Sequence, residues 1–239
     1  MDAHVLSTQL QAAGVPAVYS YAGVTRTRRT PALPTRVGGF GGIDGLVRYL
    51  REHHTTQVID ATHPFAAQMS RHAISACAAL GIPLLAMERP AWQASPGDQW
   101  LRVADMDAAA RALTPRMQRV FLSIGRKQLA AFAPRAADHH FLLRVIDQTG
   151  EALPLPAARC TLLVARGPFD LEDERALLQR HAIDCIVSKN AGGADTYAKI
   201  AAARELRITV VMVDRPQLPA RTCCETPQQA MQWLESQRR

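Results

Sequence analysis

The chain has 239 residues, 48% hydrophobic, 21% charged and only 5% aromatic, with a formal net charge of +7. That balance suits a globular protein of helices packed on sheets, and no stretch approaches the roughly 20 apolar residues a membrane span needs. The positive charge is dispersed, with a short cluster at Arg26, Arg28 and Arg29 and no interleaved aromatics, which argues against nucleic acid and for a small polyanionic ligand.

The start, Met1-Asp2-Ala3-His4, has neither a basic nor an apolar leader region, so no signal peptide is expected. Short apolar runs follow at residues 17–21, 57–61, 83–87, 120–124, 141–146, 161–165, 185–188 and 209–213. Several are apolar at successive positions, as strands are when both sheet faces are covered. Helical spacing occupies 66–80, where Met69, Ala73, Ala76, Cys77 and Leu80 share a face. Residues 91–118 read as a connection around Pro96-Gly97 with a short helix at 106–113. Further helices are expected at 171–182 after Asp170, at 197–206, and from Thr226, where proline at the first helical position and Gln229 complete a capping pattern. Strands alternating with helices predict parallel sheets. The fold class is therefore α/β, with two Rossmann-like lobes at residues 1–115 and 116–239. The five cysteines (Cys77, Cys160, Cys185, Cys223, Cys224) are odd in number and lack C-x-x-C spacing, so reduced thiols in the cytoplasm are expected.

In open parallel sheets ligands bind outside the carboxyl ends of strands. At the first such end, Asp60, Thr62 and His63 precede Pro64 and a helix start. This turn suits an anion or ribose contact, and equally an N-capping turn with a satisfied histidine. The stretch from Arg36 to Gly42 has four glycines in five positions, including Gly39 and Gly41. It reads as a close backbone approach to a ligand or as a linker. Three later strand ends carry cations: Ser123-Ile124-Gly125-Arg126-Lys127, Arg166-Gly167, and Lys189-Asn190-Ala191-Gly192-Gly193 followed by Tyr197 and Lys199. Each alone is a solvated turn as readily as a site, but their coincidence favours carboxylate recognition. The adjacent histidine pairs lack ligand spacing, so no metal site is expected, and no Gly-x-Ser-x-Gly elbow marks a hydrolase.

Quoted in order, SYAGVT, RVGGFGG, DATHPFA, GIPLLAMERPAW, SIGRKQLAAF, ARGPF, VSKNAGG, TYAKIAAAR and VVMVDRP run from Ser20 to Pro216. Together they resemble the precorrin-6A reductase family of cobalamin biosynthesis, with DATHPFA, ERPxW and KNxGG the most specific combination. The resemblance implies two Rossmann-like domains and an oxidoreductase acting on a CH–CH bond, with NADPH reducing precorrin-6A to precorrin-6B. It also implies a polycarboxylated tetrapyrrole as the small-molecule partner, no nucleic acid or membrane, and transient contacts with neighbouring pathway enzymes. The chain departs from the family in opening inside the first helix, so the first strand of the N-terminal lobe and its Gly-Gly-Thr turn are expected to be missing. A second departure, AGVTRT for AGRT, moves the expected 2′-phosphate contact to Arg26.

On that resemblance the first lobe holds NADPH through Gly23, Thr25, Arg26, Asp60, Thr62 and His63. Substrate carboxylates fall to Arg36, Gly39, Gly41, Arg126, Lys127, Arg166, Lys189, Asn190, Gly192, Gly193 and Lys199. Tyr197, Lys189 and His63 are the candidate proton donors. Two rival readings stand: a tetrapyrrole lyase of the uroporphyrinogen III synthase type, and a non-enzymatic polyanion-binding protein.

Overall fold

The computed structural model describes residues 2–21, 31–146 and 152–237. In chain order it begins with α1 (Asp2–Ala12), β1 (Tyr19–Tyr21), β2 (Thr35–Val37), α2 (Gly42–Glu52), β3 (Val58–Asp60), α3 (Ala67–Leu80) and β4 (Leu84–Met87). The middle contains β5 (Trp100–Val103), α4 (Met106–Ala112), β6 (Arg119–Ser123), a 3₁₀ helix (Arg126–Arg135), β7 (His140–Val145), a second 3₁₀ helix (Ala157–Arg159) and β8 (Cys160–Val164). It continues through α5 (Leu171–Arg180), β9 (Cys185–Lys189), α6 (Ala198–Glu205) and β10 (Thr209–Val213). The last elements are β11 (Thr222–Cys224) and α7 (Pro227–Ser236). All strand pairings among the described residues are parallel, the arrangement the apolar runs predict.

The expected division near residue 115 is corrected. One compact unit comprises Met1–Pro90 with Gln217–Arg239, and the other Ala91–Pro216. Residues 91–115 are not a connection, because β5 lies within them and pairs along its length with β10. The C-terminal segment likewise leaves its expected lobe, because β11 pairs with β4 in the first unit.

In the first unit β3 and β4 alternate sides, as strands must. Ile59, Leu85 and Met87 pack with Leu6 and Leu10 of α1 and Ala230 and Leu234 of α7. Val58 and Leu84 point to the other side, toward Leu46 and Leu50 of α2 and Ala73, Ala76 and Cys77 of α3. These strands form a three-stranded sheet of order β11-β4-β3, and β1 and β2 form a separate pair. Helix α7 starts in the capping box that its sequence predicts, Thr226 accepting from the Gln229 amide at 3.2 Å.

The second unit holds a six-stranded sheet, order β5-β10-β9-β6-β7-β8. Phe121, Leu142, Ile186, Val210 and Met212 cover one face and meet Leu178 of α5 and Ile200 and Ala203 of α6. On the other face Phe132 of the long 3₁₀ helix packs edge-on against Phe141, centroids 6.1 Å apart. A buried ion pair crosses the first of these layers: Arg144 of β7 donates to Glu174 of α5 at 2.6 Å. The Arg144 guanidinium lies 4.7 Å from the Phe121 ring and 4.1 Å from the Phe169 ring, so its charge is offset by one carboxylate and two aromatic faces.

Candidate functional site

The strand order of the second unit locates its crevice. From β6 the next strand in sequence, β7, lies on one side, whereas from β9 the next strand, β10, lies on the other. Connections therefore part above the carboxyl ends of β6 and β9, where a doubly wound sheet leaves room for a ligand. Ser123 and Ser188 are register partners on these strands. The residues beyond them meet across the switch point, where the Lys189 ammonium donates to the Ile124 carbonyl at 2.6 Å. Burial pushes Lys189 down from 10.5 to about 8.

Gly125 turns the chain away from β6 with φ of 78°, and Arg126 and Lys127 open the 3₁₀ helix beside it. Arg166 is placed differently. It follows β8, the edge strand, with β6 and β7 intervening before β9. At about 4.8 Å per strand that offset is roughly 14 Å, so Arg166 does not share the Lys189 position.

Trp92 joins the remaining candidates. Asn190 brackets its backbone, the side-chain oxygen accepting from Trp92 N–H at 2.7 Å and the amide donating to Trp92 C=O at 3.0 Å. The indole N–H donates to the Gly193 carbonyl at 2.8 Å. Arg215 secures the same loop from beyond β10, donating to the carbonyls of Asn190 at 3.0 Å and Ala191 at 3.1 Å. Gly192 and Gly193, with φ of 73° and 76°, make a conformation that a side chain would strain. The Asn190 side chain is thus engaged by the Trp92 backbone.

Beside this loop is a cleft of about 470 Å³ lined by Trp92, Gln93, Gly193, Ala194, Tyr197 and Ala198. Trp92 and Tyr197 stand 5.6 Å apart at 59°, an apolar wall suited to a flat ligand portion. The Tyr197 hydroxyl accepts from Arg204 at 2.5 Å, and Arg204 grips Asp98 at 2.8 and 3.2 Å.

Lys199 is turned into the protein. It is only 4% exposed, its ammonium donating to Thr196 C=O at 2.5 Å and lying 5.0 Å from the Trp92 ring. Burial pushes it down to about 7, a fall that Glu174 opposes and Arg144 assists. In this arrangement the ammonium is buried beside Trp92. The helical stagger of α6 decides this, since position 199 falls on the same side as buried Ala202 and Ala203.

In the first unit Asp60 ends β3 buried, accepting at one oxygen from Thr62 N–H at 3.1 Å and Thr62 O–H at 2.7 Å. The same carboxylate supports burial in raising the neighbouring Cys77 thiol to about 11. His63 is exposed and its Nδ1 accepts from Phe65 N–H at 3.1 Å, which places the proton of a neutral ring on Nε2. The three polar residues are therefore brought into one turn leading toward α3.

Arg36 folds back onto its own loop. It donates to the carbonyls of Gly38 and Gly39, each at 2.6 Å, and stacks 3.8 Å from the Phe40 ring. These contacts clamp the glycine loop. Gly41, with φ of 80°, is the N-cap of α2. Gly23, Thr25 and Arg26 lie outside the described residues.

Sequence reasoning missed Trp92, Asp98 and Arg204. Trp92 stood in the ERPxW segment, which is where a signal lay. Asp98 and Arg204 carry none, being 106 residues apart.

A family model described as Precorrin-6x reductase CbiJ/CobK matches residues 1–235. The Precorrin-6A reductase of Rhodobacter capsulatus is 48% identical over 233 residues, 98% of this chain and 92% of the relative. The Cobalt-precorrin-6A reductase of Priestia megaterium is 27% identical over 247 residues, 100% of this chain and 96% of the relative. A solved structure described as CobK precorrin-6A reductase superposes with a TM-score of 0.92 at 46% identity, spanning 99% of this chain and 93% of that one.

Proposed function

The chain belongs to the precorrin-6x reductase family, and from that premise we propose that it reduces precorrin-6A to precorrin-6B with NADPH, in the cytoplasm. The observation that carries this reading is the match of the family model across residues 1–235. A metal-free macrocycle is favoured over its cobalt form, because identity is 48% to a relative named for the first and 27% to one named for the second.

The polar turn at the end of β3 fits a nicotinamide nucleotide chemically. Asp60 keeps its second carboxylate oxygen and Thr62 the lone pairs of its hydroxyl beside a strand's carboxyl end, acceptors that suit the hydroxyl hydrogens of a ribose diol. In this reading Asp60, Thr62 and His63 hold the nucleotide, which when bound supplies the hydride. The macrocycle carries several carboxylates, and the cations at the switch point of the second unit are matched to them. Lys189 is half-buried and fixed on Ile124, so its charge is oriented before any anion arrives. Arg126 and Lys127, at the end of the adjacent strand, extend the same positive edge. The cleft walled by Trp92 and Tyr197 takes an apolar part of the ring.

The test is NADPH absorbance with purified protein and enzymatically generated precorrin-6A. Oxidation that depends on both components, with a matching change in the tetrapyrrole spectrum, is expected. Binding of both without oxidation refutes the proposal, and turnover of the tetrapyrrole without nicotinamide substitutes the lyase.

A further inference from the structure

The cleft of the second unit contains a polar chain that the family likeness does not assign. Tyr197 contributes to the wall, and its hydroxyl accepts at 2.5 Å from Arg204, which is not among the lining residues. The two are seven residues apart, two helical turns, which sets them on one side of the α6 region. Arg204 is in turn held along one edge of its guanidinium: Nε on Asp98 Oδ1 at 2.8 Å and Nη2 on Oδ2 at 3.2 Å. Asp98 is 1% exposed at its side chain. It sits in a tight turn where Oδ2 also accepts from Ser95 N–H at 2.7 Å. The turn runs alongside the arginine stem, where even a Cβ built at Gly97 would make an ordinary contact, 3.4 Å from Arg204 Cγ.

Hydrogen-bond directionality gives this chain a consequence. A guanidinium has donors and no acceptor, so the Tyr197 oxygen must accept from Arg204. The phenolic hydrogen therefore points elsewhere. Asp98 leaves the guanidinium little rotational freedom, because a bidentate carboxylate fixes its plane. Trp92, the opposite wall, is immobilised by Asn190 and Gly193.

We infer that Arg204, braced by Asp98, is a positioning residue that directs the Tyr197 hydroxyl proton toward the ligand in the Trp92 cleft. The inference rests on the reductase reading above. Reduction of a double bond adds a hydride to one atom and requires one proton at another. The Tyr197 O–H bond breaks as the new bond to hydrogen forms on the macrocycle. The resulting phenolate is held against the Arg204 cation, and water then returns a proton to it. Arg204 never touches substrate and acts through Tyr197.

The experiment compares Tyr197→Phe, Arg204→Gln, Arg204→Lys, Asp98→Asn and the double variant Tyr197→Phe/Arg204→Gln in NADPH oxidation with precorrin-6A. Tyr197→Phe is expected to lower kcat about 100-fold, the lower end of what a positioned acid contributes, with KM changed little. Arg204→Gln is expected to lower kcat similarly. The double variant is expected to be no slower than the slower single one, because the two residues act as one unit. Arg204→Lys keeps a donor and is expected to recover part of the rate, which also covers the case in which Arg204→Gln folds poorly. Wild-type kcat in both Arg204 variants, or single losses that multiply in the double variant, overturns the inference while leaving the reductase reading intact. A wild-type protein that does not oxidise NADPH with precorrin-6A removes both.

Discussion

Replacement of Lys199 by methionine removes a buried ammonium while keeping a linear side chain of similar length. Burial holds this lysine near 7 in the folded protein against an ordinary 10.5. Between those two values the unfolded chain binds a proton that the folded chain does not. Stability from this group therefore rises with pH through that window and is constant below it. Each pH unit changes stability by at most ~1.4 kcal/mol, so from about pH 6 to about pH 9 the wild type gains roughly 3 kcal/mol from this residue.

The upper limit of that range is chosen because Cys77 and Cys185, raised by burial to about 11 and about 12, act with the opposite sign above their ordinary 9.0. Lys189 has the same sign as Lys199 but is common to both proteins. Urea unfolding at several pH values measures the difference. The wild type is expected to gain on Lys199→Met by roughly 3 kcal/mol across the range. Parallel curves for the two proteins would show that Lys199 keeps its proton when folded and would refute the reasoning.

Three further outcomes are expected. For Lys189, the charged form prevails below about 8, so the wild-type KM for precorrin-6A should climb above that pH, by at most about tenfold per unit, until it meets that of Lys189→Met. Lys189→Met should raise KM at lower pH and flatten the profile, as steady-state kinetics would record. Gly45→Ala would put a Cβ 1.7 Å from the Phe40 carbonyl oxygen; a loss of about 1–3 kcal/mol in denaturant unfolding is expected, with the glycine loop displaced. Asn190→Ala strips both hydrogen bonds from the Trp92 backbone and should cost about 1–3 kcal/mol, with a change in tryptophan fluorescence as the cleft wall loosens.

Eight strands stand where apolar runs of four to six residues occur, because a parallel sheet covered on both faces demands that pattern. Three others, β2, β5 and β11, were not visible. Thr35–Val37, Trp100–Val103 and Thr222–Cys224 are short and largely half-buried or exposed, and their backbones are ordered by the strand each pairs with. The same distinction separates the site residues. Asp60, Thr62 and His63 form a turn through contacts within five residues, so adjacency in sequence was enough to find it. Arg36 and Lys199 were chosen for charge, and charge does not say which way a long side chain turns. One folds onto Phe40 and two glycine carbonyls, and the other is buried against Trp92.

Local physics in the sequence alone determined the α/β class, the parallel pairing, the helix caps at Asp170 and Thr226, and the polar strand ends, because each depends on residues within a turn or a strand of one another. Family motifs spread along the chain were likewise readable without coordinates. Tertiary structure decided where the chain divides, since that depends on which strand β5 and β11 find as neighbours. It also placed Lys189 at the β6–β9 switch point and joined Asp98 to Arg204 and Tyr197. Those juxtapositions arise from strand order and from contacts across about a hundred residues, and no local pattern encodes the partner at the far end of such a contact.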